Sequence, residues 1–118
     1  MRIWDLPISV LCRNHLLGEH RELHVMWSVI TNNKKGWSKH PETERWKGKL
    51  KALYLRHEEQ VKEMTKRGYN HSSPLDKSKA IGSEIQDVYV DTPKEQIEWI
   101  KIKQKISNCK CKIKELES

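Results

Sequence analysis

The chain has 118 residues, 23 Lys and Arg against 16 Asp and Glu (formal charge +7), five tryptophans and no phenylalanine. That length fits one domain with a modest core. No apolar run of roughly 18 residues is present to cross a membrane, and an odd number of cysteines argues against a disulfide framework and for a reducing intracellular setting, cytoplasm or nucleoid. A basic surface with several tryptophans suits nucleic acid, because phosphates attract cations and flat rings stack on or wedge between bases. In chain order, "MRIWDL" (1–6) has neither a signal core nor a cleavage site, yet Ile3, Trp4 and Leu6 read as structured protein. Asp5 and Pro7 form a helix-start signal, Asp5 as N-cap and Pro7 in the first turn. From Ile8 to Ile30, apolar residues recur at spacings of three and four, predicting one long helix or two joined at Gly18.

"TNNKKGW" (31–37) reads as a loop. A second helix is expected over 40–68, with Pro41 near its start, Glu42 and Glu44 in its first turn, and Lys66, Arg67 and Gly68 closing it. Its inward stripe is Trp46, Leu50, Leu53, Val61 and Met64. Residues 69–84 read as loop. "DTPKEQ" then opens a third helix with Thr92 as N-cap, Pro93 at the first helical position and Glu95 completing a capping box. Ile97, Trp99, Ile100, Ile102 and Ile106 continue it. Residues 107–118 read as a tail or short extended segment. The expected fold is all-α, a compact single domain over 1–118 with three main helices and no confident strand.

The densest chemistry lies in "HLLGEHRELHVMW" (15–27). His15, Glu19, Glu22 and Met26 fall near one helical face, while Arg21 and Glu22 diverge by about 100°. By itself this is also the pattern of a polar face held by i,i+3 and i,i+4 pairs. His15, Glu19 and Glu22 imitate a metal box, but His-Glu-x-x-His spacing is missing. Cys109-Lys110-Cys111 has half a zinc-site spacing, but no second cysteine pair exists and Cys12 is remote in sequence. Plain thiols, no metal and no cofactor are therefore the expectation.

Arg-Ile at the start, "HLLGEHREL" at a fixed distance from it, and a second helix ending in "KRGYN" (66–70) together resemble the pyrimidine-dimer DNA glycosylases of phage and cells, the pyrimidine-dimer excision family. The likeness covers roughly residues 1–70. It implies a compact domain of three main helices that removes a damaged base and nicks the abasic strand, the chain's terminal α-amine being the nucleophile and the Glu of Arg-Glu-Leu the essential carboxylate. The matching positions are Met1, kept because bulky Arg2 follows it, and Glu22. Arg2, His15 and Arg21 match the supporting residues. An α-amine, with a reference pKa of about 7.7–8.0, is partly free base near neutrality, and neighbouring cations lower that value further. No metal is required by such chemistry.

The implied partner is damaged double-stranded DNA, met by a monomer. Reaching C1′ requires opening the stack, so phosphate anchors are needed. Arg2, Arg21, Lys34, Lys35, Lys39 and Arg45 are the candidates, with Arg13 and Arg56 behind them and one of Lys101, Lys103 and Lys105 on the third helix. Trp37, in the basic loop, is the candidate ring contact, whereas Trp4, Trp27 and Trp46 are expected in the core. Two departures from the family pattern bear on lesion choice. Val25 stands where a further active-site arginine is expected, and the aromatic C-terminal tail is replaced by "NCKCKIKELES" (108–118). A cyclobutane dimer is the default substrate, with an oxidised or ring-opened purine, or a plain abasic site, as the alternatives. A non-catalytic basic helical DNA-binding module and a small protein-interaction module are the competing classes.

Overall fold

Helix α1 runs Arg13–Thr31, α2 Pro41–Glu44, α3 Leu50–Lys66 and α4 Pro93–Ser107. The computed structural model describes residues 2–36, 38–70 and 74–114. Among the described residues there is no strand, only an isolated antiparallel bridge between Lys49 and Gly82. The all-α expectation holds.

The start differs from the sequence expectation. Asp5 caps no helix: Pro7 precedes a 3-10 turn, Ile8–Val10, and α1 begins only after Cys12. Asp5 is instead drawn to a buried arginine, described below. Gly18 does not divide α1. Its cost within a helix, about 1 kcal/mol, is outweighed by burying Leu16, Leu23 and Met26 on one stripe of an unbroken helix, each worth about 1.5–3 kcal/mol. Asn33, at φ 51°, turns the chain out of α1, a conformation asparagine tolerates better than most residues.

The expected second helix is two helices. Gly48, at φ 77°, breaks it. The first amides of α3 have no side-chain cap. They are satisfied across space, Lys51 N–H donating to the Ile81 carbonyl (2.9 Å) and Ala52 N–H to that of Ser83 (3.1 Å). Residues 75–91 thus form a strap that caps α3 from outside its own sequence, something periodicity cannot reveal. At the other end Gly68 (φ 84°) and Tyr69 close α3 as a Schellman motif, with Tyr69 N–H on the Met64 carbonyl at 2.8 Å. The capping box of α4 forms as read, from Thr92 and Glu95.

The strap depends on a close approach. A Cβ at Gly82, whose φ is 88°, would lie 2.3 Å from the Gly48 carbonyl oxygen. Gly82→Ala is expected to destabilise by more than the roughly 1–2 kcal/mol of left-handed backbone alone, with the loss visible in thermal melting and in faster amide exchange at Lys51 and Ala52. Gly36→Ala, with nothing within 4 Å of the added atom, is the neutral comparison.

Two apolar clusters fill the interior. Trp4, Leu6, Ile8, Val10, Leu11 and Leu16 pack with Met64, Ile100, Cys111 and Ile113. Ile3, Leu23, Met26 and Trp27 pack with Trp46, Leu50, Ala52 and Leu53. The segment after α4 returns to the first cluster, Lys112 N–H reaching the Val10 carbonyl at 2.7 Å. Residues 115–118 lie outside the described residues.

Candidate active site

The N-terminal segment is held by side chains from every long element. Ile3 N–H donates to Glu42 Oε1 (3.1 Å), Trp4 N–H to Glu19 Oε1 (2.7 Å) and Asp5 N–H to Gln96 Oε1 (2.7 Å). In return Arg45 donates to the Ile3 carbonyl (2.9 Å) and Arg56 to that of Leu6 (2.8 Å). Three consecutive amides are therefore met by α2, α1 and α4. An extended segment inside the protein has no ladder of its own, so its backbone groups require such partners. This accounts for a terminus written with core residues.

Two buried ion-pair networks sustain the clamp. Arg45 meets Glu42 Oε1 at 2.6 Å and Asp5 Oδ2 at 3.0 Å, its side chain only 3% exposed. Burial alone would lower its pKa, but hydrogen bonds and charge from Glu42, then Asp5, raise it. Arg56 grips Glu19 with two nitrogens, Nε to Oε2 at 3.1 Å and Nη2 to Oε1 at 2.8 Å. Gln60 Nε2 also donates to Glu19 Oε2. Arg45 is thus no phosphate anchor, contrary to expectation, because its donors are consumed inside the protein. Glu19 belongs to this clamp and not to a metal box with His15 and Glu22.

One turn beyond Glu19, Glu22 is half-buried and Arg21 is exposed. Among the described residues neither side chain carries a hydrogen bond or an ion pair. Arg2 pairs with Asp91 at 2.6 Å and lies over the Trp4 ring at 5.0 Å, so its positive charge is largely offset. Lys34, Lys35 and Lys39 are exposed in the turn after α1. Val25 lines a recess with His24, Ser28, Val29, Lys34 and Gly36. Arg13 lies over Tyr69, and Lys103 faces the His15 region. Trp4, Trp27 and Trp46 are buried, as expected. Met1 and Trp37 lie outside the described residues.

His15 is placed differently from Glu22. Its ring meets Trp4 edge-on at 5.3 Å, and its Nδ1 sits among three sulfurs: Cys111 at 3.1 Å, Cys12 at 3.2 Å and Cys109 at 3.3 Å. Burial, then the charge of Lys103, lowers its pKa. Sequence distance was therefore a poor argument against a shared cysteine site. The return after α4 brings Cys109 and Cys111 to the start of α1. A second cluster, His20, His24 and His57, bridges α1 and α3 beside Gln60. The i,i+4 spacing of His20 and His24 was its visible signal, but their partner lies 33 residues beyond His24.

A family model described as pyrimidine dimer DNA glycosylase matches residues 1–77. No curated protein and no solved structure matches the chain. The matched segment holds Arg2, His15, Arg21 and Glu22 as well as the clamp residues Glu19, Glu42, Arg45 and Arg56, and it ends before α4 and the cysteine pair. By the match of this family model over residues 1–77, the chain belongs to the pyrimidine dimer DNA glycosylases.

Proposed function

We propose that this glycosylase is bifunctional, releasing a base at a pyrimidine dimer in duplex DNA and cleaving the resulting abasic strand, with the Met1 α-amine as nucleophile and Glu22 as the essential carboxylate. The neutral amine attacks C1′, the C1′–N bond breaks with its electrons leaving on the base, and an imine forms as the sugar ring opens. Loss of a C2′ proton then expels the 3′ phosphate by β-elimination, and water hydrolyses the imine. Glu22 stabilises the positive charge that develops on the sugar and moves protons during ring opening and elimination.

The clamp carries this reading. Its anchors climb α1 as the chain runs back towards its start: Leu6 and Trp4 share an apolar cluster with Leu16, Trp4 N–H bonds Glu19, and Ile3 shares the other cluster with Leu23 and Met26. The segment therefore ascends towards the level of Glu22, the carboxylate that the clamp leaves uncommitted. A nucleophile gains rate from being positioned, and five backbone bonds to buried or half-buried side chains supply rigidity. Arg21, Lys34, Lys35 and Lys39 provide the exposed charge for the phosphates, Arg2 would join them on exchanging Asp91 for a phosphate, Trp37 is the ring contact, and residues 1–118 act as one monomeric unit in a reducing compartment.

Borohydride trapping tests the mechanism. A covalent adduct is expected on dimer-containing and abasic duplexes and none on intact duplex, with mass spectrometry locating it on the Met1 amine. One residue added before Met1 should abolish it. An adduct on a lysine, or none at all, defeats the Met1 assignment.

A further inference from the structure

We propose that Cys12, His15, Cys109 and Cys111 form a closed four-ligand site for a borderline-soft divalent cation, zinc above all, tying the start of α1 to the segment after α4. The four donor atoms lie within 4.8 Å of one another. His15 Nδ1 is 3.1–3.3 Å from all three sulfurs, and the Cys12 and Cys109 sulfurs are 3.9 Å apart. Zinc bonds of about 2.3 Å to sulfur and 2.0–2.1 Å to nitrogen give tetrahedral edges of about 3.8 Å and 3.6 Å, close to this arrangement. Hydrogen bonding does not account for it. A ring nitrogen has one hydrogen or one lone pair, so it serves one sulfur well and not three. A disulfide does not account for it either, since 3.9 Å between Cys12 and Cys109 sulfurs far exceeds a bond of about 2.05 Å.

The surroundings suit thiolates. Cys12 occupies the N-cap position of α1, where the helix dipole favours negative charge, and its N–H donates to Cys111 Sγ at 3.1 Å. Arg13, Lys103 and Lys110 border the site. Asn108, at φ 55°, reverses the chain immediately before Cys109, and Gln104 holds the Cys111 carbonyl at 2.9 Å. Four protein ligands leave no open position, so the cation is structural. Through the His15–Trp4 contact it also braces the N-terminal segment.

Mercurial titration of the untagged, reduced, full-length protein tests this site. Blocking three thiols should release one equivalent of zinc, read with a chromogenic chelator, and cobalt substitution should give a near-ultraviolet thiolate charge-transfer band. The Cys109→Ser variant should lower cobalt affinity at least tenfold. Thiols that titrate without releasing metal, or cobalt binding without that band, overturn the proposal. Neither readout involves DNA, so failure here is distinct from failure of the lyase mechanism.

Discussion

Glu22→Gln is expected to lower base removal by about 10²–10³-fold or more, with the melting temperature and duplex affinity nearly unchanged. The Glu22 side chain has no hydrogen bond or ion pair among the described residues, so the amide keeps the shape and disturbs no polar network. What it lacks is the negative charge that stabilises a developing cation and the basicity that moves protons. The informative comparison is Glu19→Gln, one helical turn away. Glu19 is fully buried, its side chain 0% exposed, against an Arg56 that is 14% exposed. Removing that charge leaves Arg56 and the clamp under-compensated, at a cost of about 3 kcal/mol. Glu19→Gln should therefore act first on stability and Glu22→Gln on turnover. Single-turnover kinetics on a dimer duplex, run beside thermal melts, separate the two. Unchanged turnover in Glu22→Gln would reduce that residue to part of a solvated helix face.

Arg45→Met is expected to be the most damaging substitution for stability, at about 3–5 kcal/mol, or a fall of roughly 10–20 °C in melting temperature for a chain of this size. The methionine fills similar volume but leaves the Glu42 and Asp5 carboxylates, 5% and 11% exposed, without their counter-charge. It also strips the Ile3 carbonyl of its donor. Because Ile3 stands two residues from the amine, borohydride trapping should fall even below the new melting temperature. The double substitution Arg45→Met, Glu42→Gln should recover part of the stability by removing one orphaned charge. If Arg45→Met melts like the wild type, the clamp is not what holds the terminus. A phosphate-anchor role would instead show as lost, salt-dependent DNA affinity in a stable protein.

Local physics made much of this protein legible. The capping box at Thr92 and Glu95 and the glycine stop at Gly68 act over a few residues, as do the apolar stripes of α1 and α3. Each was readable in place. The Arg-Ile start and "HREL" placed the chain in its family because spacing survives without knowledge of the fold. The roles of charged residues were harder to read, since an arginine looks the same whether it faces phosphate or a buried carboxylate. Arg45 was read as an anchor, and only its position between Glu42 and Asp5 turned it inward. Glu19 and Glu22 share a helix face, and only Arg56 and Gln60, from α3, distinguish them.

The sequence by itself determined the helices that their own residues can start, stop and bury, and the family to which the chain belongs. The tertiary structure alone decided which polar groups meet. The strap caps α3 from some 30 residues away, and the return after α4 brings Cys109 and Cys111 to Cys12 and His15. The clamp gathers its acceptors from three helices. Helix periodicity reports which face is apolar. It carries no information on which distant donor will satisfy a buried acceptor, and that pairing is what positions the N-terminal segment along α1.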